Sequence, residues 1–235
     1  TGDYNTAFGS YSLAATTTGA NNTALGYQAL DANTTANDNT AVGYAALGAN
    51  TTGLRNTAVG SNALDANTTA NDNTAFGYDA LTANTTGGEN TAVGRNSLAA
   101  STTGINNTGL GYGALSVSTT ASYNTSVGSH SLQDTTTGSS NTAVGYLALG
   151  DNTTGANNTA VGRSALWLNT TADYNTALGY STLLVNTTGT FNVAIGALAL
   201  DACVDGSKNN AVGAFALTSY DPDSAQDSHN NAFGY

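Results

Sequence analysis

The chain has 235 residues, 4 basic and 15 acidic side chains, and a formal net charge of −11. Charged residues make up 8% of it, against about a quarter in ordinary proteins. So acidic a chain is a poor partner for nucleic acid or an anionic membrane, and no apolar run reaches membrane-spanning length.

The first repeat start is Asn5. Asparagine then recurs at Asn22, Asn39, Asn56, Asn73 and onward to Asn192 and Asn209, each step being 17 residues. One more start, Asn230, follows after a step of 21. A glycine stands four residues after each start (Gly9, Gly26, Gly213) and a leucine eight after most (Leu13, Leu30, Leu217). The coil reads N-T-A-V-G-Y-x-A-L-x-A-N-T-T-G-x-x. Helical repeats need roughly 33 residues or more, and Asn, Gly, Thr and Val are poor helix formers. The period therefore predicts an all-β chain, a parallel β-solenoid of the β-roll or β-helix kind with 17-residue coils.

Within a coil, N-T-A-V-G is predicted to be a strand. Alternation puts its second and fourth residues on one side. The fourth is apolar (Phe8, Leu25, Val42, Val59, Phe76, Val93, Leu110) and is expected to face the interior. Thr6, Thr23 and Thr40 would then also face inward as a hydroxyl ladder, leaving Ala24 with Gly26, and Ala41 with Gly43, outside. A second strand is expected at A-L-x-A, with Leu30 and Ala32, or Leu64 and Ala66, inward. The residue between them varies (Asp31, Gly48, Asp65, Thr82, Trp167, Leu184). N-T-T-G, as at Asn50 to Gly53 and Asn84 to Gly87, has turn chemistry.

Stacked coils place identical residues about 4.8 Å apart. Roughly thirteen such intervals give a rod of about 60 Å. Each coil buries a Leu and a Val-like side chain, of order 1.5–3 kcal/mol apiece. That is too little for one coil to stand alone against conformational entropy, so the array holds together through its neighbours. Asn ladders at the turns add side-chain hydrogen bonds between copies.

A period of 34 lies over the first. The segment from Asp31 to Ala41 recurs verbatim from Asp65 to Ala75. The residue after the repeated glycine is Tyr27, Tyr44, Tyr78, Tyr112, Tyr146 or Tyr180, with Ser61, Arg95, Ser129 and Arg163 between. These tyrosines are the candidate ligand-binding residues, an aromatic ladder able to stack on sugars. They are also suited to shielding a corner or packing between subunits.

Residues 1–200 read as regular coils, and 201–235 as less regular coils with a four-residue insertion in the last connection. That connection holds Asp221, Asp223 and Asp227. Its spacing matches no calcium loop, and it reads as a solvated insertion. Neither end carries a cap of the kind solenoids use, as expected for an interior part of a longer array or for protomers stacked end to end. The lone Cys203 excludes an internal disulfide and takes the place of a turn asparagine, as a buried or half-exposed thiol.

Little points to chemistry. His130 and His229 sit in different contexts, and His130 is expected to be an exposed corner residue. Asp31 and Asp65 would lie about 10 Å apart along one edge, a gap a glycosidase could use, but no aromatic-lined cleft accompanies them. The adjacent threonines Thr34-Thr35 and Thr51-Thr52 point in different directions, unlike a flat ice-binding array. Triplets such as Asn33-Thr34-Thr35 meet the N-glycosylation pattern, which the repeat generates in any case. The expectation is no enzyme activity, no metal and no cofactor.

The coil resembles the YadA-like head repeats of trimeric autotransporter adhesins. The likeness runs from Asn5 to Gly234 and rests on Thr6-Ala7-Phe8-Gly9, Thr40-Ala41-Val42-Gly43, Val193-Ala194-Ile195-Gly196 and their copies. Shaft repeats of phage tail fibres and related bacterial fibres look similar. The resemblance implies a left-handed parallel β-roll, three chains about one axis and a cell-surface or virion-fibre location. The family's coil is shorter, the additional N-T-T lengthening one turn here. The implied function is a structural or adhesive segment of an extracellular fibre, a rigid spacer presenting a tip to a host-surface protein or glycan. The alternatives are a self-assembling extracellular filament and a polysaccharide-binding module.

Overall fold

The computed structural model describes residues 2–220 and 229–235. The chain divides into unit 1, Thr1–Thr120, and unit 2, Ala121–Tyr235. The predicted insertion around Asp221 to Asp227 lies outside the described residues.

Both units are parallel β-solenoids with three-residue strands and 17-residue coils. Unit 1 holds β1 (Thr6–Phe8), β2 (Thr23–Leu25), β3 (Thr40–Val42), β4 (Thr57–Val59), β5 (Thr74–Phe76), β6 (Thr91–Val93) and β7 (Thr108–Leu110). Unit 2 holds β8 (Thr125–Val127), β9 (Thr142–Val144), β10 (Thr159–Val161), β11 (Thr176–Leu178), β12 (Val193–Ile195), β13 (Asn210–Val212) and β14 (Asn231–Phe233). Within each unit the strands pair in sequence order, like residue on like residue: Thr40 on Thr57, Ala41 on Ala58, Val42 on Val59. The insertion before β14 leaves that register intact, with Ala211 opposite Ala232.

The faces of the strand are the reverse of the sequence expectation. Ala24, Ala41, Ala58, Ala75 and Ala92 are fully buried, whereas the Thr and the large apolar residue on either side face outward. Space decides this. The interior is already occupied by the leucine eight residues after each start, from Leu30 to Leu200, and by asparagines, all without solvent exposure. Only a methyl group fits between them. The expected inward hydroxyl ladder of Thr6, Thr23 and Thr40 is therefore an outward one, and the expected outward Ala face is the core.

The second strand does not form. A-L-x-A is a succession of turns in which alternate residues, Gln28 and Leu30 for example, have φ of 56° and 52°. Its N–H groups still bond from coil to coil, Gln28 to the carbonyl of Ser10 and Leu30 to that of Ala46, both at 3.0 Å. A left-handed leucine costs about 1–2 kcal/mol. Full burial of its side chain contributes about 1.5–3 kcal/mol, and its N–H keeps a partner, so the strained conformation persists. Leu30 and Leu64 point inward as expected, while Ala32 and Ala66 are half-exposed.

Two asparagine ladders hold the coils in register. In the first, each start asparagine accepts from the next: the Asn39 N–H donates to Asn22 Oδ1 at 3.0 Å, and the Asn56 N–H to Asn39 Oδ1 at 2.9 Å. The Asn39 Nδ2 donates to the carbonyl of Gly53 at 2.9 Å. In the second, at the N-T-T-G turn, Asn67 Nδ2 donates to Asn50 Oδ1 at 2.8 Å and Asn84 Nδ2 to Asn67 Oδ1 at 3.0 Å. The turn and its ladder agree with the sequence reading. Every buried amide that reaches two partners avoids a desolvation penalty of about 1–3 kcal/mol, which explains so polar a core.

The glycine after each strand is required twice over. Gly43 has φ of 140°, closed to L side chains, and a Cβ there would overlap the carbonyl of Gly60 in the next coil.

Candidate interaction surfaces

The reversed strand creates the main outer feature. Each unit presents two parallel columns, one of threonine, replaced by Val193, Asn210 and Asn231 in the last three strands of unit 2, and one of large apolar side chains. In unit 1 the apolar column is Phe8, Leu25, Val42, Val59, Phe76, Val93 and Leu110; Phe76 is 50% exposed and Leu110 45%. In unit 2 it is Val127, Val144, Val161, Leu178, Ile195, Val212 and Phe233. No outward strand residue in either unit is charged, although the chain carries a net −11. Isolated exposed apolar residues are ordinary, but a contiguous patch of a few hundred Å² marks an interaction site.

The tyrosines predicted as a ligand ladder stand in a column at the corner after each glycine. Tyr27, Tyr44, Tyr78 and Tyr112 belong to unit 1, Tyr146 and Tyr180 to unit 2, and all are about half-exposed. Tyr27 and Tyr44 stack at 5.6 Å with 10° between their planes, and Tyr11 meets Tyr27 edge-on at 5.8 Å. Of the four coils between Tyr44 and Tyr180 that tyrosine skips, two carry Arg95 and Arg163 at this position and two carry Ser61 and Ser129. The Arg95 guanidinium lies 5.6 Å from the Tyr78 ring centre and 5.9 Å from that of Tyr112. Arg163 lies 5.9 and 5.8 Å from Tyr146 and Tyr180. Each of these tyrosines thus has a neighbouring ring or guanidinium group on at least one side, with cation–π attraction of about 0.5–1 kcal/mol at such exposed sites. The outer edges remain for contact.

A second aromatic column stands at another corner, apart from the candidate tyrosines. The residue before each start asparagine has positive φ throughout, and in unit 2 it includes Tyr123, Tyr174 and Phe191. Tyr174 and Phe191 stack at 4.9 Å with 4° between planes. The signal was present in the sequence as bulky residues at a fixed coil position.

The polar candidates are modest. Asp31 and Asp65 border one open notch of ≈ 260 Å³, with Gln28, Ala45, Gly48 and Ala49. The notch exists because Gly48 lacks a side chain where Asp31 and Asp65 carry one. Burial, with the charge of Asp79 beside it, raises the pKa of the Asp65 carboxyl. The corresponding position in unit 2, Gly150, is covered by Trp167, whose Nε1 donates to Asp151 at 3.1 Å. His130 is half-buried rather than exposed; its Nδ1 lies 2.9 Å from Ser129 Oγ and its ring meets Tyr146 edge-on at 6.3 Å. Cys203 is fully buried in the asparagine position of the turn ladder, as the sequence reading allowed. Among the described residues, no three His, Cys, Asp or Glu side chains are grouped to hold a metal ion, and no helix is long and apolar enough to cross a membrane.

Comparison with family models, with curated proteins and with solved structures returns no match. The surfaces themselves therefore carry the functional argument.

Proposed function

We propose that the chain is a structural or adhesive segment of an extracellular fibre, a rigid spacer in which copies associate through the outward Thr and Val/Leu/Phe columns. The uncharged apolar face carries this reading. A second copy of the chain is its natural cover. The columns repeat at the strand spacing of about 4.8 Å, so an identical array matches them rung for rung, while the acidic corners keep other approaches apart. A closed trimer about one axis, as the YadA-like and tail-fibre resemblance implies, buries all three such faces. The tyrosine columns, with each ring already against a neighbouring ring or guanidinium on at least one side, are better suited to stiffening a corner than to stacking on sugars.

Sedimentation equilibrium tests the reading. The intact chain is expected at three times its monomer mass, and Val59→Asp, with its substitution outside the coil, as a folded monomer with unchanged circular dichroism. A monomeric intact chain contradicts the proposal, and an open-ended polymer replaces the trimer with a filament.

A further inference from the structure

The N-T-T asparagines sort the chain's possible routes of synthesis. Asn33, Asn50, Asn67 and Asn84 in unit 1, and Asn152, Asn169 and Asn186 in unit 2, each begin an Asn-Thr-Thr triplet that meets the N-glycosylation pattern. All have no solvent exposure in the folded chain. Their amide nitrogens are the donors of the turn ladder. Asn67 Nδ2 donates to Asn50 Oδ1 at 2.8 Å and to the Ala70 carbonyl at 3.2 Å, and Asn169 Nδ2 does the same to Asn152 Oδ1 and the Ala172 carbonyl at 2.8 and 3.2 Å. Both N–H groups are committed.

N-glycosylation joins that nitrogen to C1 of a sugar. The C1–O bond to the lipid diphosphate carrier breaks, the diphosphate leaves, and the nitrogen gives up one proton. One ladder donor is lost, and a bulky sugar must occupy space that has no opening to solvent. Transfer acts on the nascent chain before it folds, so burial in the finished coil gives no protection. The exposed Asn-Asn-Thr asparagines behave differently. Asn21, Asn106 and Asn157 stand exposed at left-handed corners and have room for a glycan.

We infer that the chain is made and folds where oligosaccharide is not transferred to Asn-x-Thr, so that the turn asparagines reach their ladder unmodified. This stands apart from the self-association reading, because it concerns the core of each coil and not the outer face.

The test is to produce the full chain behind a secretory leader in a eukaryotic cell, and without a leader in bacterial cytoplasm. The bacterial product is expected to resist protease. The secretory product is expected to carry glycan mass at the N-T-T asparagines and to lose that resistance. Resistance should return when lipid-linked oligosaccharide synthesis is inhibited. It should also return when the third residue of each triplet, Thr35 and its exposed counterparts, is changed to Ala together with Ser126→Ala, which also removes the buried Asn124-Thr125-Ser126 acceptor and leaves the ladder asparagines in place. A secretory chain that folds with glycan on these asparagines, or folds with them left unmodified in an active compartment, overturns the inference. So does misfolding that neither treatment relieves.

Discussion

Unit 1 and unit 2 share one backbone and decorate one corner differently. The residue before the start asparagine is Asp38, Arg55, Asp72 and Glu89 in successive coils of unit 1, and includes Tyr123, Tyr174 and Phe191 in unit 2. The conformation is left-handed in both cases, with φ of 55° at Arg55 and 58° at Phe191. In unit 1 the column is joined by ion pairing, Arg55 Nε to Asp72 Oδ1 at 2.6 Å. In unit 2 it is joined by ring stacking. The coil therefore dictates backbone and interior, and leaves the corners free to use any interaction that bridges one strand spacing. The notch at Gly48 against the Trp167 cover at Gly150 teaches the same lesson.

The interior is where the two units should respond alike, and where the largest effects are expected. Leu64→Asp in unit 1 and Leu166→Asp in unit 2 each place a charge in a fully buried site. A loss of about 4 kcal/mol or more is expected for either, read from denaturant unfolding. A much smaller loss in one unit would show that its coil is not packed as the other is.

Local exceptions to the repeat are compensated by nearby partners. Gly109 replaces the buried strand alanine in β7, and the Ser97 hydroxyl donates to its carbonyl at 2.9 Å. A Cβ on Gly109 would come within 2.5 Å of that hydroxyl oxygen. Gly109→Ala alone is expected to cost about 1–3 kcal/mol through overpacking. Adding Ser97→Ala restores the standard Ala pair and should recover that loss, so the double-mutant cycle gives a coupling energy of similar size. In unit 2 the parallel solution is a buried serine pair, Ser126 and Ser131, with their Oγ atoms 2.5 Å apart.

The corners should show the smallest effects and the clearest contrast. Arg55→Ser is expected to lower the thermal midpoint slightly at low salt and not at high salt, because the pair is exposed and screened. The Arg55 hydrogen bond holds the Asp72 carboxyl below its usual pKa. The pair's contribution is therefore present above the unfolded-state carboxylate pKa and is lost as pH falls through the folded one. Phe191→Ser should cost about 0.5–1.5 kcal/mol, with no dependence on salt or acid. Calorimetry across salt and pH distinguishes the two columns.

Much of the fold was legible in the sequence. The period, the leucine column, the polar turn and its asparagine ladder all follow from residues that recur at one spacing. The strand's face is ambiguous in the sequence because T-A-V offers two apolar candidates in opposite phases. Hydrophobicity favours Val42, whereas the available space favours Ala41. Variation in size held the answer. The outer column accepts Val, Leu, Ile and Phe, while the buried column is Ala in nearly every coil, departing to the small residues Gly109 and Ser126. A tightly packed repeating interior cannot tolerate the first kind of variation. The missing second strand was illegible for another reason: left-handed leucine is disfavoured by local propensity, and only the burial gained from neighbouring coils sustains it. The tyrosine column was visible as a period, but its arginine spacers acquire meaning only once ring and guanidinium are seen to alternate.

The outward face is tested most directly by Val59→Cys in a Cys203→Ser background, oxidised at low concentration, with Arg55→Cys at the exposed corner as the control. The account predicts an interchain disulfide at position 59, where copies meet rung on rung, and none at position 55. Efficient linking at 55 with none at 59 would contradict it.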